Sequence, residues 1–358
     1  MGEMGTSIDK NYAFLSAYCY DEYAQSVNPT SVGFRYGTSA DNLSLSEEAG
    51  LSEDGKYFDA TITGLSANTT YYYQAWAVAS DGNTYTSDVY SFTTLSASQS
   101  SDPVDGTQPD WWEVPAAMSG TNLYVNTLFY GGERNYTIAY DKEDYTTYWV
   151  AYPLNSSHMG SLSRPGSWSF DPNLDESYQV DLCSHSYSST YSRGHLIPNS
   201  SRNNIKGMQL QTFHVTNSVP QLQDKFNASI WNALEQAVQG IAEKEEIYVV
   251  TGTALQTVEG NESISYTTAK DDTKSVPVPN YFYKVVLKVE TSGSTVTSAS
   301  AIGFWFVHQN YSDSLYANYA VSVDYVEQLT GMDFFVNLPD SVESAAEANS
   351  SWDTFQNF

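Results

Sequence analysis

The chain is poor in cysteine, with only Cys19 and Cys183 among its 358 residues. Two cysteines so far apart exclude a disulfide framework, and we expect both to be small buried residues. The sequence also lacks any run of about 18 apolar residues, which excludes a membrane-spanning helix. Residues 1–5 carry no apolar stretch of the kind found in signal peptides, so we expect a mature end from which any signal has been removed.

Basic residues are scarce as well, because 15 Lys and Arg stand against 42 Asp and Glu, for a net charge of -27. Such a charge argues against a protein that coats nucleic acid through bulk electrostatics. The acidic residues are unevenly spread: residues 182–223 contain no Asp or Glu, while Arg193, Arg202 and Lys206 lie among them. If the substrate is anionic, we expect it to bind at this acid-free window.

The N-terminal quarter of the chain has the alternation of Thr, Tyr, Val and Ser that is typical of short β-strands. We place strands at 14–20, 31–37, 57–62, 71–78 and 84–94, with a hairpin turn at Asp81-Gly82-Asn83. Strands spaced in this way favour an all-β sandwich. A length of 358 residues favours two domains, and we expect the first to occupy residues 1–95.

One stretch of this sandwich, residues 64–75, resembles a strand corner of fibronectin type III modules. Leu65, Thr69 and Tyr71 stand where that corner has its Leu, Thr and Tyr. The Tyr71 hydroxyl would bond to upstream backbone while its ring packs inward. The resemblance implies a fibronectin type III-like module that acts as a spacer or contacts a surface glycan or protein, without catalysis.

The rest of the chain has longer strands interrupted by a few helices. Residues 96–108 are rich in Ser, Asp, Pro and Gly and predict an exposed linker to a second domain at 109–358. We place strands at 136–141, 148–152, 247–252, 281–289 and 299–306, helices at 219–242 and 321–329, and a partly helical surface tail at 341–358. Strands and helices mixed without strict alternation favour an α+β fold around an antiparallel sheet.

The first of these helices carries candidate metal-binding groups. Pro220, preceded by two candidate capping residues, predicts its first turn. Asn227, Trp231 and Glu235 step by four and would share one face. Because Asn227 and Glu235 would be about 12 Å apart along the axis, we expect Asn227 to bind a metal directly and Glu235 to reach it through a coordinated water. Mg²⁺ tolerates that arrangement. The alternative is a solvated Asn and Glu that flank a core Trp.

A second candidate group is Ser192-Arg193-Gly194-His195, inside the acid-free window. Gly194 permits a tight backbone turn between the side chains on either side of it. A histidine has an ordinary pKa near neutrality, so His195 is suited to take a proton from water. A structural histidine beside apolar residues is equally consistent with the spacing. No pair of His or Cys has the spacing of zinc ligands.

Taken together, these residues resemble the DNA/RNA non-specific endonucleases of the ββα-metal type, whose signature is Asp-Arg-Gly-His. The downstream block of that family is matched by Asn217, Pro220-Gln221, Asn227, Trp231 and Glu235. Further matches follow in order at 134–136, 149–152, 248–252, 282–287 and 329–335. Since the resemblance extends over about residues 120–340, it is far more specific than any single motif.

The resemblance implies a Mg²⁺-dependent enzyme, with Mn²⁺ as a candidate substitute, that cleaves DNA and RNA internally and leaves 5′-phosphate ends. It implies that His195 is the general base on the attacking water. Asn227 would be the metal ligand, and Glu235 would orient the waters of the metal.

The same resemblance implies roles for three arginines and a second asparagine. Arg164 falls where the family has a phosphate-clamping Arg. Asn217 would hold the site geometry through hydrogen bonds. Arg193 and Arg202 would position backbone phosphates, which gives affinity without base specificity.

Ser192 departs from the family, which usually has Asp at this position. A Ser hydroxyl can hydrogen-bond but brings no negative charge, so we expect weaker metal binding or a lower rate. Two alternatives stay open: a binding or adhesion protein whose nuclease domain has decayed, and an enzyme that acts on another phosphodiester. The sandwich and the Ser-, Thr- and Tyr-rich composition lead us to expect an exported protein.

Overall fold

The computed structural model describes residues 3–8, 12–19, 29–51, 57–94, 111–118, 120–188, 191–255, 263–270, 272–293 and 295–358. The strands of its first part are β1 Glu3–Ile8, β2 Ala13–Tyr18, β3 Pro29–Gly37, β4 Leu45–Glu48, β5 Gly50–Leu51, β6 Tyr57–Ile62, β7 Thr70–Ala79, β8 Thr84–Thr86 and β9 Tyr90–Thr93. The later strands are β10 Leu123–Tyr130, β11 Glu133–Asp141, β12 Thr146–Leu154, β13 Tyr191–His195, β14 Ser218–Leu222, β15 Ile247–Ala254, β16 Ser265–Thr267, β17 Val276–Val278, β18 Tyr281–Ser292, β19 Thr295–Val307 and β20 Ala320–Val321.

The helices lie in the second part of the chain. They are α1 Lys206–Gln211, α2 Asn232–Ala242, α3 Val323–Thr330, α4 Asp340–Glu347 and α5 Trp352–Gln356. Single 3₁₀ turns occur at Ser156–His158, Glu176–Tyr178, Asn199–Ser201, Val215–Asn217 and Tyr316–Tyr319, and a π-helix at Gln223–Trp231. Within the described ranges, none of these helices has both the length and the apolarity needed to cross a membrane.

The first part forms two antiparallel sheets, one with the order β1-β2-β6-β5 and one with the order β4-β3-β7-β8, in which β9 also pairs with β7. Alternate side chains of β7 are buried in one core. The predicted hairpin is confirmed, because β7 and β8 pair antiparallel around Asp81-Gly82-Asn83. The Tyr71 hydroxyl accepts a hydrogen bond from the Ser66 amide over 2.9 Å, as the corner resemblance predicts. The predicted linker at 96–108 lies outside the described residues.

The second part is built on a seven-stranded sheet with the order β10-β11-β12-β15-β18-β19-β20. Every pairing in it is antiparallel. The five strands predicted here are all present in this sheet, with ends that differ by a few residues. The expectation of an α+β fold around an antiparallel sheet is therefore confirmed.

Successive side chains of these strands pack on opposite faces of the sheet, as the period of a β-strand requires. In β12, Val150 and Tyr152 belong to the core on one face, and Trp149 and Ala151 to the core on the other. Strand β14, the π-helix and α2 cover the first face, which we call the cleft face. Helices α3 and α4 cover the second, which we call the back face.

The helix predicted at 219–242 begins later than expected. Residues Ser218–Leu222 form strand β14, in which Pro220 lies opposite Arg193 of β13. A proline can occupy such a position because an edge strand leaves one row of backbone amides unpaired. The chain then winds as a π-helix over Gln223–Trp231 and continues into α2, and no side chain caps the start. The capping role expected for the residues before Pro220 was therefore wrong.

The C-terminal residues 341–358 are helical in part, but they are not a surface tail. Trp352 and Phe355 of α5 are 7% and 0% exposed and belong to the core of the cleft face. The Trp352 ring packs edge-on against Phe304 of β19, with ring centroids 5.4 Å apart. The C-terminal segment therefore belongs to the folded core of the second part.

The first part of the chain contacts the second through α1. The Tyr12 hydroxyl accepts a hydrogen bond from Nε2 of Gln211 over 3.3 Å. Asp59 is 6% exposed at this contact, and its burial raises its pKa to about 6 against the opposing charge of Lys206. The N-terminal sheets are thus packed on the second part by polar as well as apolar contacts.

Candidate active site

An open cleft of about 580 Å³ lies between the end of β13 and the π-helix. It is lined by six of the eight residues predicted to form or to modify the site: Arg164, Ser192, Arg193, His195, Asn227 and Glu235. The other two, Asn217 and Arg202, are 0% exposed and do not line it. Residues separated by more than 70 positions in the sequence thus share one cavity.

His195 is the last residue of β13 and lies opposite Ser218 of β14. Its ring packs between Trp168 and Phe213, with ring centroids at 4.5 and 4.8 Å. Its Nε2 is buried and has no hydrogen-bond partner among the residues that the structure describes. Burial, followed by the positive charges of Arg164 and Arg193, holds the pKa of His195 well below its usual value. The ring is therefore a neutral base at pH 7.

Gly194 is required for a reason that differs from the predicted one. It lies within the extended strand β13, opposite Val219, and makes no turn. A Cβ at this position would stand 2.4 Å from Oε1 and 2.6 Å from Cβ of Gln221. Glycine is needed at position 194 because the Gln221 side chain packs directly against its Cα and leaves no room for a Cβ.

Asn227 projects from the π-helix into the cleft. Its Nδ2 donates to the Ser192 hydroxyl over 3.4 Å and to Oε1 of Gln223 over 3.2 Å. The Ser192 hydroxyl in turn donates to the Gln221 carbonyl over 3.0 Å. With both amide hydrogens of Asn227 engaged, its Oδ1 is the atom available to a cation.

Glu235 lines the same cleft from the first turn of α2, about one turn beyond Trp231, where the π-helix ends. Burial raises its pKa to about 7, although the positive charge of Lys284 and the Trp231 side chain lower it. Lys284 is 1% exposed, its Nζ donates to the Thr251 hydroxyl, and it lies 5.0 Å from the centre of the Trp231 ring. A buried cation thus lies near the carboxylate, which favours the ionised form.

Lys284 was not predicted as a site residue. The signal was present in the sequence, because a lysine stands alone within the apolar strand 281–287. A lysine on a strand that is buried on both faces requires a partner, and the carboxylate whose negative charge acts on Lys284 is that of Glu235.

The oxygen donors of Asn227 and Glu235 suit a hard divalent cation. The Asn227 amide oxygen and the Glu235 carboxylate both line the cleft. Such ligands match Mg²⁺, which binds to a few protein oxygens and keeps several waters. Zinc would need nitrogen or sulfur ligands, and His195 is the only His or Cys that lines this described cavity.

The arginines of the cleft stand on the side of His195. The guanidinium of Arg193 donates from Nη1 to the Leu182 carbonyl over 2.7 Å and lies 5.2 Å from the Trp168 ring centre. Arg164 is exposed, and its guanidinium carbon lies 5.2 Å from the Phe213 ring centre. Aromatic rings therefore support both guanidinium groups beside the imidazole.

Asn217 positions His195 from within the protein. Its Oδ1 accepts from the Ile197 amide over 3.0 Å, and its Nδ2 donates to the carbonyls of Ile197 and Thr212 over 3.0 and 2.7 Å. The chain leaving His195 is thereby fixed to the segment that precedes β14. Asn217 touches no part of the cleft.

Arg202 does not have the substrate-binding role that we expected. Its guanidinium donates to Oδ1 and the carbonyl of Asn135, and to the carbonyls of Ser201 and Pro153, over 2.5 to 2.7 Å. The side chain is fully enclosed, so a phosphate cannot reach it. Arg202 holds β11 and β12 to the segment that follows the signature.

Known nucleases share both sequence and fold with this chain. A Nostoc sp. protein named Nuclease is 29% identical over 222 residues, which cover 60% of this chain and 76% of that protein. Human mitochondrial Nuclease EXOG is 30% identical over 247 residues, which cover 65% of this chain and 64% of that protein. The solved EndoG/EndoGI complex superposes with a TM-score of 0.51 at 22% identity, covering 67% of this chain and 95% of that chain, which shows a shared fold.

Two family models match the chain. The model for the N-terminal domain of purple acid phosphatase matches residues 16–94. This is a different domain type from fibronectin type III, so the fibronectin resemblance is not confirmed. The model for DNA/RNA non-specific endonuclease matches residues 118–341, well over half of the chain, and this protein is therefore a nuclease of the DNA/RNA non-specific endonuclease family.

Proposed function

We propose that this protein is a divalent-metal-dependent endonuclease that hydrolyses DNA and RNA to 5′-phosphate ends. One observation carries the proposal: a neutral imidazole, an exposed guanidinium and two oxygen donors for a cation open into one cleft. Hydrolysis of a phosphodiester needs a base for water, a counter-charge for the phosphate and an electrophile near the leaving oxygen. The family supports the choice of bond and of products.

His195 takes a proton from the attacking water. The ring nitrogen that receives the proton must be the one that reaches the cleft, because Nε2 is buried. The aromatic rings of Trp168 and Phe213 hold the ring plane, and Asn217 fixes the backbone that follows. The His195 ring is neutral before the reaction and positively charged after it takes the proton. A nearby anion must stabilise that charge, and the phosphate of the substrate supplies it.

Arg164 binds the phosphate. It is exposed, it lines the cleft beside His195, and a guanidinium can bridge two phosphoryl oxygens as negative charge grows on them. Arg193 adds positive charge from a half-buried position and orients the backbone of the nucleic acid without reading bases. These two cations give the acidic protein a local site for a polyanion.

Asn227 would hold the divalent cation through Oδ1, and Glu235 would reach it through a coordinated water. We propose that this cation is Mg²⁺, with Mn²⁺ as a substitute. The cation would neutralise charge on the phosphate and on the 3′ leaving oxygen. Ser192 keeps the Asn227 amide oriented and supplies no charge of its own. The positive charge of Lys284 offsets the negative charge of Glu235 on this side of the cleft.

A plasmid-nicking assay with Mg²⁺ tests the proposal, run on the full chain beside His195→Ala and His185→Ala. His185 is an exposed histidine that does not line the cleft, so it is a matched control for loss of an imidazole. We expect His195→Ala to lose activity by about 10²- to 10⁴-fold, the usual contribution of a general base, and His185→Ala to keep it. Equal activity in the wild type and His195→Ala would rule out His195 as the base.

The two alternatives are separate outcomes of the same assay. No cleavage by wild type, together with retained DNA binding, would favour a decayed nuclease that binds nucleic acid. Hydrolysis of small phosphodiesters without nicking of plasmid would favour another phosphodiester as substrate.

For the N-terminal part, we propose an all-β module at residues 1–95, joined by a linker at 96–108 to a nuclease domain at 109–358. We propose that it is fibronectin type III-like, serves as a spacer or contacts a surface glycan or protein, and belongs to an exported protein. Fractionation of the producing cells, with the activity recovered in the cytosol alone, would exclude export.

A further inference from the structure

Three carboxylates meet on the back face of the sheet, on the opposite side of the sheet from the cleft. Asp324 and Glu327 lie on α3, and Glu347 is the last residue of α4. One oxygen of each lies within 4.8 Å of the others. This separation is the one expected for oxygens that share a cation with ligand distances of about 2.3 to 2.6 Å.

Glu347 makes this cluster different from an exposed group of acids. It is 6% exposed, and its Oε1 is buried without a hydrogen-bond partner among the described residues. A buried polar group is normally paired, and an unpaired carboxylate oxygen is especially costly. The Glu347 side chain also hydrogen-bonds to Glu327, but its Oε1 stays unpaired beside the other carboxylates, in a position that a bound cation would satisfy.

The positions of the three groups are fixed by structure around them. Oε1 of Glu327 accepts from the Phe334 amide over 2.7 Å, which fixes the loop after α3. Val326 of α3 and Ala346 of α4 are buried in the core of the back face. The carboxylates therefore cannot separate freely to relieve their repulsion.

No positive side chain offsets this cluster within the described part of the chain. The described ion pairs of Lys, Arg and His involve other carboxylates. Asp333 and Glu343 add further negative charge nearby. Burial, and then these like charges, raise the pKa of Glu347 to about 9, so a proton is the competing occupant when no cation is bound.

We propose that Asp324, Glu327 and Glu347 form a second metal site, which binds Ca²⁺ and ties α3 to α4. All the donors are oxygens, and Ca²⁺ accepts six to eight oxygens in flexible geometry, with water and backbone carbonyls completing the shell. The exposed side of Asp324 leaves room for those waters. The site is structural, because the sheet separates it from His195 and Asn227.

Calcium titration of the full chain without nucleic acid tests this site. We expect saturable Ca²⁺ binding with a dissociation constant of about 10⁻⁵ to 10⁻³ M, together with a rise in Tm. The variant Asn227→Ala, which removes the proposed ligand in the cleft, should keep this binding. Glu347→Gln, which keeps the shape and removes the charge, should weaken it at least tenfold.

Two further variants make the result decisive. Glu243→Gln, the same change at an exposed position after α2, should bind Ca²⁺ as the wild type does. Asp324→Asn removes an exposed ligand and should weaken binding even if Glu347→Gln fails to fold. Equal Ca²⁺ binding by wild type and both ligand variants would overturn the proposal. So would the absence of binding in the wild type, which would assign the cluster to a shared proton.

Discussion

The Asn227 carboxamide donates from Nδ2 to the Ser192 hydroxyl over 3.4 Å, and this contact links the candidate metal ligand to the residue that departs from the family signature. Because the donor is held on this side, the orientation of Oδ1 depends on the group at position 192. A long hydrogen bond to a neutral hydroxyl holds the amide less firmly than a carboxylate would.

Ser192→Asp should therefore improve cation binding. We expect the Mg²⁺ concentration for half-maximal nicking to fall by about tenfold, since one added charge close to a cation is worth about 1.4 kcal/mol or more in a half-buried site. The Gln221 carbonyl would lose its donor, at a cost to unfolding stability of about 1 kcal/mol. Ser192→Asn, which has the same shape without the charge, is the control. An identical Mg²⁺ response in the two variants would show that charge at this position does not act on the cation.

The pH profile of kcat/KM should report Glu235 and not His195. Both groups are needed in their basic forms, and the pKa of Glu235 is raised to about 7 while that of His195 is held well below 6.5. Activity should therefore fall as pH drops through about 7 at low Mg²⁺, and high Mg²⁺ should move this limb to lower pH because a cation favours the carboxylate. Glu235→Gln should leave a slower enzyme without a limb near pH 7. A limb that is unchanged in Glu235→Gln would assign it to another group.

Lys284→Met should move the same limb to higher pH. The positive charge of Lys284 lowers the pKa of Glu235, so its removal raises that pKa and reduces the ionised fraction at pH 7. Lys288→Met is a matched control, because Lys288 is 3% exposed four residues along the same strand and pairs with Glu245 over 2.9 Å. The measurement is kcat/KM from pH 5.5 to 9 in all three proteins. An equal shift in both variants would attribute the effect to loss of fold stability.

Arg164 and Arg202 should respond to substitution in opposite ways. Arg164→Ala should lower kcat by about 10²- to 10³-fold with the urea midpoint unchanged, because an exposed phosphate contact is removed. Arg202→Met leaves the acceptors of Asn135, Ser201 and Pro153 unpaired in the interior, and should reduce the free energy of unfolding by about 3 to 5 kcal/mol. Retained stability with a raised KM in Arg202→Met would restore this arginine as a substrate-binding residue.

The parts of the fold that the sequence predicted are those with strong local patterns. The strands of the central sheet are long apolar runs, and five of them were placed within a few residues. The predicted first turn of the helix at 219–242 was wrong, because Pro220 shortly after Asn217 and Ser218 is compatible with a helix start and also with an edge strand. Whether a helix or a strand forms here depends on pairing with β13. In that pairing Gln221 lies opposite Ser192, which is 29 residues earlier in the chain.

The site was predictable where chemistry and family signature agree, and less so where burial decides the role. Arg193 and Arg202 are both arginines of the acid-free window, yet only the first lines the cleft. Nothing in the local sequence distinguishes them, because the enclosure of Arg202 comes from Asn135 and Pro153 on distant strands. The local sequence marks Lys284 as a lysine within an apolar strand, but it does not identify Glu235, on a different element, as the carboxylate whose charge it offsets.

The π-helix over Gln223–Trp231 has a consequence for how this wall of the cleft can change. In an α-helix each residue turns the chain by about 100°, so loss of one residue between Asn227 and Trp231 would rewind the segment and swing the amide away from the cavity while Glu235 stayed in place. The wider turn of the π-helix thus keeps the oxygens of Asn227 and Glu235 on the same side of the cleft. Deletion of a single residue from this turn would separate them.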